Sequence, residues 1–430
     1  MARAALEGRV RDLTRFGDGV VATDRGVVFA PGVLPEERVR LLGVARQGRA
    51  TRARRAVVLA ASPERVEPPC PVAHRCGGCP LMHASPALQA RFKRGLVAQA
   101  LDGLAGAEEV AVGLEAPAAR LAYRRRARLA WASTGRGTRL GYRTRRSARV
   151  VDVEACAVLD ARRGEALRRL RTEVAPHLEG EGELHLALGG APTPASEPAV
   201  PVIALRSDGP QPPALYAALA RLVEAGALAG ASLRAAGATA EAVFGDPREV
   251  AEGADGLRLT GTVAGFSQAH GEVNASLVAA VRSLADARDR RVLELFGGSG
   301  NLTVVLAADA RELTMVEADR GAAEACRANL RRRGLRATVR AADAETYRAA
   351  GRPDVAVLDP PRTGAPGASR HLAELRPERI VYVSCDPPTL RRDLRTLAEA
   401  GYLVDRALAF DMFPQTAHVE AVVRLRLRAR

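Results

Sequence analysis

Apolar runs and helical stretches alternate from residue 261 to the end of the chain. Five short runs rich in Val, Ile and Leu are separated by segments with helical character. The runs are RVLELF (291–296), ELTMVEA (312–318), ATVRAADA (337–344), DVAVLDPP (354–361) and RIVYVSC (379–385). Strands that alternate with helices predict a mostly parallel sheet covered on both faces. Residues 261–430 are therefore predicted to form a doubly wound, Rossmann-like α/β domain.

The first 62 residues have a different pattern, in which short apolar runs are interrupted by turn residues. Turn chemistry recurs at 17–19, 24–26 and 31–32, which is the spacing of a small antiparallel barrel. We predict a five-stranded OB-like β-barrel over residues 1–62. Its arginine-rich strands suit contact with an RNA backbone. An N-terminal sheet without a special function has the same pattern and is the alternative.

Residues 63–260 mix strand-like and helical runs, which predicts a small α+β domain. The Pro- and Cys-rich stretch from 62 to 80 marks the domain boundary. A helix is predicted over 85–101, with Ser85 as N-cap and Pro86 at the first helical position, and it is a candidate to pack on the third domain. Two segments, YRRRARLAW and GYRTRRSARV, supply a dense patch of arginines.

The net charge of the chain indicates which kinds of partner it binds. Its 430 residues include 64 Lys plus Arg and 49 Asp plus Glu, a formal net charge of +15. Such an excess favours a polyanion such as RNA. Lys93 is the one lysine, so the excess is nearly all arginine, a bias that a GC-rich genome also produces. Because we find neither an apolar signal region nor a membrane-length apolar stretch, we expect a cytoplasmic protein with no membrane partner. We also expect it to be a monomer.

A strand, a glycine-rich turn and a helix follow one another in RVLELFGGSGNLTVVLA. Glu294 precedes the turn, Gly298 and Gly300 lie in it, and Glu317 ends the next strand, as in nucleotide-binding βαβ units. A carboxylate about 20 residues after the turn binds two ribose hydroxyls. The third glycine of dinucleotide sites is missing, so S-adenosylmethionine is favoured, with Asp343 on the adenine side. A generic strand and turn is the alternative.

The segment VLDPPRTG ends the fourth of these strands with an acidic residue and two prolines. Methyltransferases that act on base nitrogens have an aromatic residue where this chain has Arg362. An aromatic side chain stacks on the base, whereas arginine offers charge and a fork of hydrogen-bond donors. A different chemistry is therefore indicated.

Further segments in the same domain are more specific. With the glycine turn and the DPPR motif, the set comprises FSQAHGEVN (266–274), VLELFGGSGN (292–301), VLDPPRTG (357–364), IVYVSCDPPTLRRD (380–393) and DMFPQTAHVEAVVRL (411–425). In this order they resemble the RNA uracil-5-methyltransferase family over the whole catalytic domain. The resemblance implies a class I enzyme that uses S-adenosylmethionine and has an N-terminal TRAM domain.

The resemblance also implies roles for individual residues. Cys385 is expected as the nucleophile, Glu420 as the general base and Asp359 as a carboxylate that contacts the substrate base. The expected cofactor contacts are Gln268, Phe296, Gly298, Gly300, Asn301, Glu317, Asp343 and Asp359. Pro387 and Pro388 are expected to hold Cys385 in a rigid loop. Without this context, a free thiol at a strand end is usually a buried apolar group.

Four of the six cysteines form a C-x5-C-x2-C segment with one later partner. They are Cys70, Cys76, Cys79 and Cys156. A cytoplasmic chain uses such a group for metal binding or catalysis rather than for disulfides. Four thiolates suit either tetrahedral zinc or a 4Fe-4S cluster. The resemblance favours the cluster, because the iron-sulfur members of the family place four cysteines in this way.

The implied reaction is methylation of carbon 5 of a uridine in structured RNA, through a covalent bond between Cys385 and the uracil. Ribosomal 23S RNA is favoured over tRNA, because the iron-sulfur members mostly resemble ribosomal enzymes. An RNA cytosine-5-methyltransferase and a non-catalytic TRAM RNA-binding protein are the alternatives. Gly297, Leu302 and His270 depart from the family pattern, so we expect an atypical cofactor pocket.

Overall fold

The computed structural model describes residues 6–190 and 199–428. Within these residues it contains three large β-sheets, a two-stranded sheet and eight α-helices. Each large sheet contributes to its own apolar core. None of the described helices combines the length and the apolar character needed to cross a membrane.

The N-terminal sheet has seven strands. They are β1 (Leu6–Leu13), β2 (Gly19–Thr23), β3 (Gly26–Ala30), β4 (Arg38–Leu42), β5 (Ala45–Gln47), β6 (Ala50–Arg52) and β7 (Arg55–Ala60). Their order is β5-β6-β3-β2-β1-β4-β7. Alternation along the strands directs Val10, Val21, Val28 and Val39 into one core. There are seven strands rather than the predicted five, because the stretch between β4 and β7 forms two extra three-residue strands. Closure into an OB-like barrel stays a prediction.

The next helix and strand pack with the C-terminal sheet, whose other strands come later in the chain. They are α1 (Pro86–Leu101) and β8 (Gly113–Glu115). As predicted, Ser85 caps α1 by accepting a backbone hydrogen bond at 3.0 Å, and Pro86 lies in the first turn. Val97 and Leu101 pack in the core of the C-terminal domain. This helix and strand therefore connect the middle of the chain with the C-terminal sheet.

A second seven-stranded sheet forms the middle of the chain. Its strands and helices are β9 (Ala127–Thr134), β10 (Gly137–Arg143), β11 (Val150–Asp152), α2 (Ala161–Glu173), β12 (Glu181–Gly189), β13 (Val200–Ser207), α3 (Pro213–Glu224), β14 (Gly230–Ala235) and β15 (Ala242–Gly245). The order is β11-β10-β9-β12-β13-β14-β15. Apolar residues of α2 and α3 share its core. A separate hairpin follows, formed by β16 (Arg248–Glu252) and β17 (Arg258–Thr262).

An eight-stranded sheet forms the C-terminal domain. Besides β8, its elements are α4 (Gly271–Ala285), β18 (Arg291–Leu295), α5 (Thr303–Asp309), β19 (Glu312–Glu317), α6 (Arg320–Arg332), β20 (Thr338–Ala341), β21 (Val355–Leu358), α7 (Pro366–Leu375), β22 (Arg379–Ser384), α8 (Pro387–Glu399), β23 (Tyr402–Phe410) and β24 (Glu420–Leu427). The order is β20-β19-β18-β21-β22-β24-β23-β8. Helices α4, α5 and α6 cover one face, and α1, α7 and α8 cover the other. This is the doubly wound arrangement that the alternating pattern predicts.

Strand direction determines which ends meet at the edge of this sheet. The five strands β18 to β22 pair in parallel with one another. Strand β24 is antiparallel to both β22 and β23. The carboxyl ends of the parallel strands therefore lie beside the amino end of β24. The division of the chain at residues 62 and 260 stays a prediction, and α1 and β8 add to the C-terminal sheet from within 63–260.

Candidate active site

Three strand ends bring Cys385, Glu420 and Asp359 to one point on the edge of the C-terminal sheet. Ser384 at the end of β22 lies opposite Ala421 in β24, so Cys385 and Glu420 form the adjoining position of this antiparallel pair. Strand β21 pairs in parallel with β22, and Asp359 is the residue that follows it. The carboxyl edge of such sheets is the usual place for ligands. The structure thus brings together the three residues with expected catalytic roles.

Burial and two carboxyl groups act on the thiol of Cys385. Burial is the larger cause, and Glu420 and Asp359 add to it, which raises the pKa of Cys385 to about 12. Burial also raises the pKa of Asp359 to about 7 and the pKa of Glu420 well above its usual range. Arg362 lowers the pKa of both Cys385 and Glu420. The thiol is therefore protonated at neutral pH, and its attack requires a proton acceptor.

Cys385 lies between the end of β22 and the start of α8. The prediction that Pro387 and Pro388 form a rigid loop is wrong, because both prolines belong to the first turn of α8. Proline fits there since its missing N–H would have no helical partner. Asp386 caps the helix by accepting a hydrogen bond from the Thr389 backbone N–H at 3.2 Å. The amino end of a helix stabilises negative charge, which favours the thiolate of Cys385.

Arg362 is a site residue whose role was not recognised from the sequence. One of its guanidinium nitrogens lies 3.4 Å from His418 Nε2. Its backbone oxygen accepts a hydrogen bond from Thr389 Oγ1 at 3.2 Å, so α8 also holds the loop after β21. The sequence contained one indication of this role, because the DPPR motif has an arginine where related motifs have an aromatic residue. In this position Arg362 lowers the pKa of Cys385, which an aromatic side chain would not do.

The segment 411–419, which leads to Glu420, is held by α1. Lys93 and Asp411 form a buried ion pair, and Lys93 Nζ also donates to the Phe413 backbone oxygen at 2.9 Å. Gln89 Oε1 accepts from the Gln415 backbone N–H at 2.9 Å, and Gln89 Nε2 donates to Gln415 Oε1 at 3.0 Å. The partners are separated by more than 300 residues in the chain, so local sequence patterns carried no signal for these contacts.

The turn between β18 and α5 has a backbone that favours glycine. Gly298 and Gly300 have φ values of 55° and 96°. A Cβ on Gly300 would lie 2.9 Å from the Sγ atom of Cys326, a thiol that is buried in the core. Phe296 has a φ of 62° although it is not glycine, and such conformations cluster at functional sites. The predicted glycine-rich turn is therefore present, with Gly298 partly exposed and Gly300 buried against Cys326.

Polar side chains around this turn form two sets of hydrogen bonds. Glu317 at the end of β19 accepts from the Gly298 backbone N–H at 2.9 Å and from that of Asp319 at 2.7 Å. The side-chain amides of Asn301 and Asn274 bond to each other at 2.8 and 3.0 Å. Asn274 lies in the FSQAHGEVN segment and was not expected in the site. These bonds fix the positions of Glu317 and Asn301 beside the turn.

Several buried side chains have polar atoms that lack hydrogen-bond partners among the described residues, and two of these side chains, Glu294 and Gln268, belong to the segments of the expected cofactor site. In these two side chains the atoms are both carboxyl oxygens of Glu294 and Oε1 of Gln268. Burial raises the pKa of Glu294 to about 8. Buried polar groups are nearly always hydrogen-bonded in folded proteins, so the acceptor of Gln268 fits a ligand that carries a donor. The side chain of Thr303 lies close enough to Glu294 to lower its pKa by hydrogen bonding. Asp343 follows β20, and its side chain accepts from the Glu345 backbone N–H at 3.0 Å.

Known proteins share this combination of segments. Residues 352–428 match the family model described as tRNA (Uracil-5-)-methyltransferase, and residues 257–374 match the methyltransferase small domain. The 23S rRNA (uracil(1939)-C(5))-methyltransferase RlmD of Salmonella choleraesuis is 34% identical over 443 residues, which cover 98% of this chain and 96% of that protein. RlmD of Pseudomonas putida is also 34% identical, with 96% and 92% covered. The chain belongs to the RNA uracil-5-methyltransferase family.

A solved structure supports the predicted fold. The Pyrococcus abyssi tRNA (uracil-54, C5)-methyltransferase, in complex with S-adenosyl-L-homocysteine, matches with a TM-score of 0.76 at 23% identity. The match covers 97% of this chain and 100% of the other. The α/β methyltransferase fold is thereby confirmed. The family confirms the prediction of an RNA (uracil-5-)-methyltransferase that uses S-adenosylmethionine.

Three residues that depart from the family's usual pattern have packing roles in this chain. A Cβ on Gly297 would lie 2.5 Å from Met315 Cγ, so the methionine fills the space that a side chain would need. Leu302 is buried in the core beneath α4, α5 and α6. His270 stacks on Tyr123 with ring centroids 4.7 Å apart. The atypical cofactor pocket expected from these residues stays a prediction.

The four cysteines of the expected metal site line one cavity. They are Cys70, Cys76, Cys79 and Cys156. Burial, followed by the charges of the other three thiols, raises the pKa of Cys79 to about 12, so the four lie within electrostatic reach of one another. Among the described residues, no group of three or more His, Cys, Asp or Glu side chains is arranged to hold a metal ion. The cavity and its open mouth enclose about 450 Å³.

Proposed function

We propose that this protein transfers a methyl group from S-adenosylmethionine to carbon 5 of a uracil in 23S rRNA. The observation that carries this proposal is the meeting of Cys385, Glu420 and Asp359 at one edge of the sheet that also carries the glycine turn. Relatives that match nearly the full length, and that are named as 23S rRNA uracil-C5-methyltransferases, support the choice of RNA.

Carbon 5 of uracil is a weak nucleophile, so the proposed role of Cys385 is to raise its electron density. Attack of the thiolate on carbon 6 forms a carbon–sulfur bond and an enolate. S-Adenosylmethionine, when bound, supplies the methyl group on a sulfonium, and carbon 5 accepts it as the methyl–sulfur bond breaks. A base then removes the carbon 5 proton. The C–H electron pair restores the double bond between carbons 5 and 6, and the thiolate of Cys385 leaves.

The residues around Cys385 have distinct proposed roles in this sequence. Glu420 is the base for the carbon 5 proton, because it lies next to Cys385 across β22 and β24. Asp359, whose pKa burial raises to about 7, contacts the uracil as a donor or an acceptor at neutral pH. Arg362 lowers the pKa of Cys385 and Glu420. It thereby favours both the thiolate that attacks and the carboxylate that removes the proton.

The residues around the glycine turn are proposed to bind S-adenosylmethionine. Gly298 and Gly300 allow the backbone to approach the ligand, and Glu317 lies where a carboxylate binds ribose hydroxyls. Asp343, on the adjoining strand, is assigned to the adenine side. The buried acceptor of Gln268 fits a donor group of the ligand. The other proposed contacts are Phe296, Asn301 and Asp359.

We further assign the four-cysteine cavity to a 4Fe-4S cluster. The cysteines are Cys70, Cys76, Cys79 and Cys156. A zinc ion requires all four sulfurs about 2.3 Å from one point, whereas the thiolates of a cluster each bind a different iron. The four thiols line one cavity and act on one another electrostatically, which supports one group bound by all four, and the resemblance to the iron-sulfur members of the family favours the cluster. Zinc is the alternative occupant.

The N-terminal sheet is proposed to act as a TRAM-type RNA-binding module of a monomeric, cytoplasmic enzyme. Transfer RNA is the alternative substrate, since the P. abyssi protein with the same fold is named as a tRNA methyltransferase. A cytosine-5-methyltransferase is not favoured, because the DPPR motif contains no cysteine. A non-catalytic RNA-binding role is not favoured, because Cys385, Glu420 and Asp359 meet at one site.

The proposal is tested by mapping 5-methyluridine in 23S rRNA and tRNA by mass spectrometry, in a strain that lacks the gene. We expect one uridine of 23S rRNA to lose its methyl group and to regain it when the wild-type gene is restored. Cys385→Ser keeps the size of the side chain but lacks the thiolate, so this variant should not restore methylation. Loss of a methyl group from tRNA instead would support the alternative substrate. Unchanged RNA would contradict the proposed function.

A further inference from the structure

The turn between β1 and β2 reaches from the N-terminal sheet to the active site. Thr14 to Asp18 form this turn, which is closed by a hydrogen bond from the Thr14 backbone N–H to the Asp18 oxygen at 2.7 Å. Gly17 packs against Leu81 and Ala417, and a Cβ on it would lie 3.0 Å from Leu81. Ala417 belongs to the segment that leads to Glu420. The turn therefore has a defined position beside the catalytic residues.

Arg15, in this turn, is directly linked to the residue after the nucleophile. Its Nη1 atom lies 2.8 Å from Asp386 Oδ2, and Asp386 follows Cys385 and caps α8. The ion pair joins residues 371 positions apart in the chain. Arg15 remains 43% exposed, so guanidinium donors that the pair does not use face the solvent. An exposed cationic group is thus fixed within one residue of Cys385.

Phe16, the next residue, has an aromatic side chain that is exposed to solvent. It is 50% exposed, and the Arg15 guanidinium lies over its ring at 4.3 Å from the centroid. Arg145 from the middle domain donates a hydrogen bond to the Phe16 backbone oxygen. Arg145 therefore holds the backbone of Phe16 and Arg15 covers one face of its ring, while half of the side chain stays accessible. Rigid, exposed aromatic rings beside positive charge are the usual platforms for stacking unpaired nucleobases.

A basic groove begins at the same turn. It is lined by nine arginines and three carboxylates, and it runs between the N-terminal sheet and the cysteine-rich segment. One of those carboxylates, Asp18, is buried and forms ion pairs with Arg52, Arg145 and Arg146. Asp18 thus uses its charge to hold arginines in place rather than to repel a polyanion. A nucleic-acid backbone lying in this groove would meet the active site at Arg15 and Phe16.

We propose that Arg15 and Phe16 contact the nucleotide next to the target uracil, with Phe16 stacked on its base and Arg15 bound to its phosphate. The inference rests on the proposed RNA methylation and adds the part of the N-terminal sheet that takes part in it. A uracil must leave its stack before a thiol can reach carbon 6. Stacking on Phe16 would replace the contact that the neighbouring base loses when the uracil leaves.

The test uses the full-length protein and a transcript of the 23S rRNA segment that contains the methylated uridine. We expect Phe16→Ala to weaken RNA binding by about 5- to 150-fold, the loss that removal of one base–aromatic stack produces. Phe16→Trp should bind within about twofold of wild type, because tryptophan also stacks. Arg15→Gln should reduce the slope of log affinity against log salt by about 0.7 to 0.9, as for one lost phosphate contact.

The matched control is Val27→Ala, which removes another exposed apolar side chain from the same sheet. Val27 is 53% exposed and lies at the far end of the β2–β3 hairpin. This variant should bind RNA like wild type. Affinity for S-adenosylmethionine and the thermal midpoint are measured for every variant and should not change. If Phe16→Ala lowers either of these, its role is structural and the proposal is overturned.

Two outcomes separate this inference from the proposed function. If wild type methylates the transcript but Phe16→Ala binds it within twofold of wild type, only the contact proposed here is wrong. If wild type neither binds nor methylates the transcript, the proposed function fails and this inference fails with it. Methylation by wild type together with the expected losses in Phe16→Ala and Arg15→Gln would support both.

Discussion

Lys93, the one lysine of the chain, forms a buried ion pair with Asp411 at the start of the segment that leads to Glu420. Both side chains are fully buried, and Arg120 also contacts the carboxylate, at 3.2 Å. Removing Lys93 leaves the buried carboxylate of Asp411 with Arg120 as a more distant cationic partner, so the charge is poorly compensated. We expect Lys93→Met to destabilise the folded protein by about 3–5 kcal/mol, measured as a lower thermal midpoint.

Lys93→Arg is the matched variant, because it keeps the charge and should lose less stability. Asp411→Asn combined with Lys93→Met should recover part of the loss, since the stranded charge is gone. A thermal midpoint of Lys93→Met equal to that of wild type would contradict a stabilising role for the pair.

The reactivity of Cys385 should depend steeply on pH. Its pKa is raised to about 12, so the thiolate fraction grows about tenfold for each pH unit below that value. We expect alkylation of Cys385 by iodoacetamide, followed by peptide mass spectrometry, to be slow at pH 7 and to accelerate without a plateau to pH 10. A rate that levels off between about pH 9 and 10 would show an ordinary thiol, whose pKa is about 8.5.

Arg362→Gln should slow this alkylation at any given pH. Arg362 lowers the pKa of Cys385, so its removal raises the pKa further and reduces the thiolate fraction. Arg370→Gln removes an exposed arginine of α7 and serves as the control, with no expected effect. Equal rates for both variants would exclude an electrostatic role for Arg362.

Glu420→Gln should stop the reaction after methyl transfer. Without a base, the carbon 5 proton stays and the thiol cannot leave, so a covalent complex of protein and methylated RNA should accumulate. Turnover should fall by about 10²–10⁴-fold, the usual contribution of general base catalysis. The complex is detected on denaturing gels with methyl-labelled cofactor. Glu399→Gln, at the exposed end of α8, should turn over normally without an adduct, and a Glu420→Gln enzyme with normal turnover would rule out this base.

Gly300→Ala should weaken binding of S-adenosylmethionine. Its φ is 96°, and a Cβ would lie 2.9 Å from Cys326 Sγ, so the turn must shift. Backbone strain of about 1–3 kcal/mol corresponds to a loss of about 5- to 150-fold in affinity if the turn moves away from the ligand. Gly298→Ala, where a Cβ meets no atom within 4 Å, should cost less. Calorimetric titration compares the two variants, and equal affinities would contradict the packing argument.

Cys79→Ser should remove the proposed cluster. Protein purified without oxygen should contain about four irons and absorb visible light, and this variant should lose both properties. Cys326→Ser is the control, because Cys326 is buried in α6, away from the four-cysteine cavity, and should retain the iron. Stoichiometric zinc without iron in the wild-type protein would overturn the cluster assignment.

Much of the fold and part of the site follow from local patterns. The alternation of strands and helices from residue 261 onward predicted the doubly wound sheet, because a strand buried on both faces must be apolar throughout. The glycine turn was predictable because only glycine adopts the required backbone without strain. The capping of α1 by Ser85 followed from hydrogen bonding within one turn. Cys385 was recognised from the segment around it.

Other features required the tertiary structure. From the sequence, the prolines after Cys385 were compatible with a rigid loop and with the first turn of a helix, since proline fits both. The structure shows the helix. Arg362 became a site residue only when its effect on Cys385 and Glu420 was seen. The contributions of α1 and β8 to the C-terminal sheet had no local signal, because they depend on pairing with β23 and packing on α8.

By itself, the sequence determined the alternation of strands and helices from residue 261 onward, the glycine turn and the segments that place the chain in its family. These features depend on side-chain periodicity and on turn chemistry within a few residues. The tertiary structure alone decided that Glu420 lies beside Cys385, that Lys93 holds the segment before Glu420, and that Arg15 reaches Asp386. Those contacts join distant parts of the chain. Antiparallel pairing of β24 with β22 brings Glu420 to Cys385, and the buried charge of Lys93 requires the partner that Asp411 supplies.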